Sequence, residues 1–160
     1  MGKWIICMTS LLVVLMLVPS ATAQERLKAD ERDNQKSATE NNKRLILRLF
    51  QEVVNQRNPL VIDELYEPNV VDHSAFPDQA PGTEGIKNAV RGFLEIFPDL
   101  EVTVEDLIAE GDKVATRETW RGIHGPSGKA ASGSVMHIFR VSEGRITEEW
   151  SQGWDWLEKL

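Results

Sequence analysis

Asp155 lies between Trp154 and Trp156. A carboxylate held among aromatic side chains is poorly solvated, which moves its pKa up toward the working range of a general base or acid. Left in water near a C-terminus, the same aspartate has no chemical task and the tryptophans pack elsewhere. His137 alternates with Val135 and Phe139. If that strand face points inward, His137 is a second pocket base; on the other face it meets solvent or a second copy of the chain. Arg121 and Arg140 occupy similar strand positions, suited to gripping an acidic group of a ligand or to surface ion pairs. Trp120, Trp150, Trp154 and Trp156 are four of the five tryptophans, and all fall in the C-terminal half. They suit a pocket wall that stacks on a flat ring, and equally a tryptophan-rich core or an interface.

Other chemistries lack their residues. Met1-Gly2-Lys3, an apolar run over 5–18, Pro19-Ser20 and the small-x-small Ala21-Thr22-Ala23 together read as a signal peptide cleaved before Gln24. The run is too short to span a bilayer, which takes about 20 apolar residues. Cys7, the one cysteine, leaves with it, so the mature chain has no thiol nucleophile and no cysteine-held zinc. No stable membrane anchor is expected after cleavage, and the destination is periplasmic or extracellular. Lys3 also leaves, so 17 basic residues face 25 acidic ones, a balance of −8. With no basic cluster, nucleic acid, anionic membranes and polyanionic substrates are poor partners. The stretch from Gly122 to Ala130 imitates a phosphate loop, but Ile123 stands where its first glycine belongs and a strand follows. His73, His124 and His137 are far apart, so no metal site is expected. Ser127 and Ser151 have no base at recognisable spacing.

These residues must be positioned by a small set of elements. Residues 24–40 are almost wholly polar and read as a linker or frayed helix. From Asn41 to Asn55, Leu45, Leu49 and Val53 with Ile46, Phe50 and Val54 recur at helical spacing. Asn58-Pro59 breaks this helix, and Pro59 opens a short second one reaching Leu65. Val70-Val71 is a short β-like piece. After a turn-rich loop, Thr83 is the expected N-cap of a third helix that Pro98 ends. Alternation then marks strands from Leu100, over 114–123, over 134–141 and from Arg145 to about Gln152, joined by tight turns. Helices first and an antiparallel meander after predict an α+β fold. Its N-terminal helices pack on a curved antiparallel sheet, giving a cone-shaped α+β barrel able to enclose a small molecule.

The ordered set of short motifs resembles the SnoaL-like polyketide (ester) cyclases of the nuclear-transport-factor-2-like superfamily. The matching stretches begin with Tyr66 and Val70-Val71-Asp72-His73, then 81–87 and Phe97-Pro98-Asp99-Leu100. They continue with 105–114, Thr119-Trp120-Arg121-Gly122-Ile123-His124-Gly125, and Gly144 to Trp150 with Asp155 beyond. The resemblance spans nearly all of 41–160, the expected SnoaL-like domain. It implies a small, mostly apolar carbonyl ligand and cofactor-free acid–base catalysis of the intramolecular aldol type. In it Asp155 is the base and His73, near the pocket mouth, or His137 the polarising donor. It further implies a ligand contact from His124, a phenol near an oxyanion from Tyr66 as in the ketosteroid isomerases, and a homodimer through the outer sheet face. Trp120, Trp150 and Arg140 are expected as further ligand contacts from their residue types and strand positions. The alternative on the same fold is a non-catalytic pocket that binds a ligand or dimerises. Two departures stand out: only Pro126-Ser127 lies between His124-Gly125 and Gly128-Lys129, and Asp155 follows Trp150 by five positions, not four. One extra residue in a strand reverses its face unless a bulge absorbs it.

Overall fold

The computed structural model describes residues 21–159, with side chains over 22–157. The expected signal sequence falls mainly on residues 1–20, outside the described residues. By its internal contacts the chain divides into two units, Met1–Asp33 and Asn34–Leu160. The sheet, the core and the candidate site all belong to the second.

Helix α1 runs Ala21–Arg48, through the stretch expected to be a linker or frayed helix. Its described side chains before Leu45 are largely exposed, so good helix formers and local pairs such as Lys43–Glu40, 2.9 Å apart, maintain it rather than burial. Where apolar residues begin, the helix widens into a π-helical segment, Leu49–Asn55. The extra residue per turn lets the adjacent pairs Leu49-Phe50 and Val53-Val54 all turn inward, and all four are buried. Asn55 then fastens this end to the sheet: its amide accepts from the Val102 N–H at 2.8 Å and donates to the Val102 carbonyl at 2.9 Å.

A 3-10 turn (Pro59–Val61) and the short helix α2 (Ile62–Leu65) lead into strand β1 (Tyr66–Asp72). Helix α3 spans Gly82–Ile96. Thr83 is not its cap; the capping position is Pro81, with no side-chain bond, and the helix starts two residues earlier than the motif predicts. What fixes this start is a close approach: Gly82 has φ +69, and a Cβ there would overlap the Pro68 carbonyl oxygen of β1. At the other end the Arg57 guanidinium meets the carbonyls of Leu94, Phe97 and Pro98, a cation at a helix C-terminus.

The remaining strands are β2 (Glu101–Glu110), β3 (Lys113–His124), β4 (Lys129–Ser142) and β5 (Arg145–Gln152). The sheet order is β1-β5-β4-β3-β2. The four-strand antiparallel meander is present as expected. The β-like piece at Val70-Val71 is longer than expected and joins as a fifth strand, parallel to β5. Pro68 interrupts its pairing, as an edge strand permits. Strand β4 begins at Lys129, five residues before the expected start, because the short turn after His124 pairs His124 with Lys129 at once. The fold is α+β, with helices packed against one five-stranded sheet.

Candidate functional site

Strand phase decides what reaches the interior. Along β3 the buried side chains are Val114, Thr116, Glu118 and Trp120, every second residue. His137 of β4 is opposite Thr116, and Tyr66 and Asp72 come from the edge strand β1. On β5, Glu149 and Ser151 point the same way. Between this sheet face and the helices lies a cavity of about 90 Å³. Phe50 and Val54 of the π-helical segment and Phe93 of α3 supply its apolar side, and Trp120 and Trp154 its indole walls, 5.1 Å apart between ring centroids.

The polar end is a connected set. Tyr66 Oη donates to Glu149 Oε2 at 2.8 Å, wholly buried. Burial pushes the Glu149 carboxyl up to about 7; the nearby Asp72 adds to the rise, while His137 and the Tyr66 hydrogen bond oppose it. Burial, and then the neighbouring Glu149 charge, push the Tyr66 phenol well above its usual value, so it stays a donor. Asp72 accepts from the Ser74 N–H and from Gln79 Nε2, each at 2.8 Å, which ties the 74–79 loop over the mouth. Trp154 Nε1 donates to Ser151 Oγ at 2.8 Å. Trp120 Nε1 is buried with no hydrogen-bond partner among the described residues. A second, open groove of about 580 Å³ adjoins the cavity and shares Phe76, Gln79, Ala89 and Phe93 with it.

The residues singled out in the sequence separate into two groups. His137, Tyr66 and Trp120 converge on the cavity. Asp155 does not: it is exposed on the 3-10 turn Trp154–Lys159. Strand β5 ends at Gln152, and Gly153, at φ +108, turns the chain against Ser134. The short turn then sends Trp154 and Trp156 inward and Asp155 out, so the desolvation expected for its carboxylate does not arise.

His73 and Trp150 also miss the cavity. Trp150 falls between Glu149 and Ser151, so it occupies the other face of the sheet. There the His73 ring stacks on it at 4.4 Å, with His73 Nε2 2.9 Å from Glu148 Oε2. Arg140 is on that outer face too, paired with Glu148 at 2.8 Å and Asp112 at 3.1 Å, and Arg121 pairs with Glu101 at 2.8 Å. His124 holds Ser127 Oγ at 2.7 Å and borders the outer groove, not the cavity. Glu149, Asp72 and Gln79 were not anticipated. The clue to Glu149 was available in the alternation of β5, but two adjacent glutamates left open which one faces inward. Among the described residues no group of three or more His, Cys, Asp or Glu side chains is placed to hold a metal ion.

The sequence model of the SnoaL-like polyketide cyclases matches residues 44–156. The chain belongs to the SnoaL-like polyketide cyclase family. Solved structures agree. A Bacillus cereus ATCC 10987 protein assigned as a polyketide cyclase is 29% identical, with a TM-score of 0.62 over 68% of this chain and 71% of that one. IdmH of Streptomyces antibioticus, likewise assigned as a polyketide cyclase, is 30% identical, with a TM-score of 0.61 over 68% and 88%. A SnoaL-like protein of Jannaschia sp. CCS1 is 25% identical, with a TM-score of 0.67 over 76% and 90%. Among curated proteins none matches the chain.

Proposed function

We propose that this SnoaL-like chain carries out cofactor-free proton transfer on a small, mostly apolar carbonyl compound, with Glu149 as the base in place of Asp155. The observation that supports this reading is one carboxyl group, buried among aromatic walls, whose pKa of about 7 suits it to exchange a proton near neutrality. In an intramolecular aldol closure, the Glu149 carboxylate takes a proton from the carbon next to a carbonyl and returns it to the new alkoxide oxygen. Tyr66 holds the other carboxylate oxygen in place. Trp120 Nε1–H, without a partner among the described residues, is a donor for the ligand's carbonyl oxygen. The cavity accommodates only the reacting end of a ring-sized ligand, whose apolar remainder fits the adjoining groove.

Turnover of a panel of enolisable ketones tests this. Glu149→Gln should lose at least about a hundredfold in kcat, the scale of a lost general base, while Asp155→Asn stays within about twofold. In the wild type, kcat/KM should rise with pH and level off above about 7, as the base form of Glu149 fills. An active Glu149→Gln enzyme would rule out Glu149 as the base, and a wild type without turnover would leave the alternative, a pocket that only binds.

We further propose export and pairing. Residues 1–23 carry the parts of a cleaved signal sequence. Mass spectrometry of the protein recovered outside the cytoplasm should find Gln24 at its N-terminus; recovery of the chain intact from Met1 in the cytoplasm would refute this. The second copy docks on the outer sheet face, where Ile108, Ala115, Ile138 and Trp150 align across β2, β3, β4 and β5.

A further inference from the structure

Glu118 is the least accessible carboxylate in the sheet, with a relative exposure of 0%. It lies on the same inward strand phase as Trp120 and approaches the cavity from behind His137. Its Oε2 is 3.0 Å from His137 Nδ1, and its Oε1 has no partner among the described residues. The pairing follows from register: Glu118 is opposite Val135 and Thr116 opposite His137, so Glu118 and His137 are diagonal neighbours on one face. Burying a carboxylate with a single partner costs several kcal/mol, which an apolar residue at this position would avoid. The core therefore gains nothing from Glu118 as filler. What it does act on is the imidazole.

We propose that Glu118 is a positioning residue that fixes His137 in the tautomer with the proton on Nδ1, so that Nε2 presents its lone pair to the ligand. A carboxylate accepts and cannot donate, so the ring nitrogen facing it must carry the hydrogen. The ring plane is held as well: it stacks on Phe139 at 5.3 Å and 8°, with Phe50 and Trp154 against its edges. Nε2 has no partner among the described residues, and the ring lines the cavity. This inference rests on the proposed cavity site and narrows its ligand. The other groups facing His137 are Glu149 from β5 and, beyond it, Tyr66 and Asp72 from β1. Towards the ligand, Trp120 Nε1 offers a donor while His137 Nε2 and Glu149 offer acceptors. The matching compound carries a hydroxyl hydrogen, from an enol or a phenol, beside its carbonyl oxygen. In its neutral form His137 thus receives a hydrogen bond from the ligand, which reverses the donor role expected from the sequence.

Nitrogen-detected NMR of the full chain, at a pH where the imidazole is neutral, reads the tautomer directly and needs no substrate. The wild type should show His137 protonated on Nδ1, and Glu118→Gln should give a mixture, since an amide both donates and accepts. Binding of phenol and anisole then reads the consequence. Phenol should bind about tenfold more tightly than anisole, one hydrogen bond's worth, and Glu118→Gln should reduce that preference in step with the loss of the Nδ1-protonated tautomer. A wild-type His137 protonated on Nε2, an unchanged tautomer in Glu118→Gln, or equal binding of the two probes would overturn the proposal. Failure of the enzyme reading shows elsewhere, as absent turnover with the tautomer intact.

Discussion

At the scale of single residues, Glu149 sets a conflict between stability and chemistry. Its carboxyl has a pKa of 4.5 in an unfolded chain and about 7 when buried. The folded state therefore binds the extra proton between those values, and stability falls as pH rises from about 4.5 through 7. The shift corresponds to about 3 kcal/mol of stability, fully present below the unfolded pKa and lost above the folded one. Glu149→Gln removes the penalty and keeps an acceptor for Tyr66. Denaturant titrations should find the variant more stable than the wild type at about pH 8, and the two close together at about pH 4.5. A variant less stable at both pH values would mean that the ionised carboxylate is stabilised in the fold. The same residue shows where sequence reading stops. His137, Tyr66 and Trp120 were legible because their strand or helix-end positions admit few placements. Glu148 and Glu149 are adjacent, and which faces inward depends on the bulge at Arg140 and Val141, a property of pairing that neither residue announces. Asp155 misled for a related reason: its neighbours are indeed buried, but a 3-10 turn does not bury every residue of a Trp-Asp-Trp run.

At the scale of elements, local pattern located α3 and the meander to within a few residues. It underestimated β1 and the beginning of β4, whose lengths are set by partners: β5 in one case, a continuous hairpin with β3 in the other. The π-helical segment was invisible as such, because its apolar residues also satisfy ordinary helical spacing, yet it brings both Leu49 and Phe50 to the cavity. The junction of β1 and α3 is the most constrained element contact near the site. Gly82 combines a positive φ with contact against Pro68, and the loop it follows carries Gln79, the partner of Asp72. Gly82→Ala should cost about 1–3 kcal/mol, from backbone strain and displacement of β1. Because β1 carries Tyr66 and Asp72, the variant should also lose turnover beyond what its stability explains. Thermal melts beside kinetics at a temperature where both proteins are folded check this. A neutral Gly82→Ala would show that α3 can lift from β1 without cost.

At the scale of the whole molecule, the outer sheet face has the composition of an interface, and its charges make the pairing proposal testable in direction. Ile138 and Met136 on the central strand β4 remain 43% and 57% exposed, and Ile108 on the edge strand β2 remains 67% exposed. Charged pairs flank them: Arg117 with Asp106 at 2.6 Å on one side, and Arg140 with Asp112 and Glu148 on the other. An apolar centre within a polar rim is how stable interfaces are built. Two copies bring together like net charges, −7 each for the full chain, and this repulsion is screened by salt while apolar burial is not. Light scattering should therefore find a dimer whose association tightens as salt increases. Ile138→Lys, which puts a cation at the centre of the face, should give a folded monomer with its cavity intact. Dissociation by salt would instead make the rim ion pairs the main attraction between copies, and a dimeric Ile138→Lys variant would move the contact off this face.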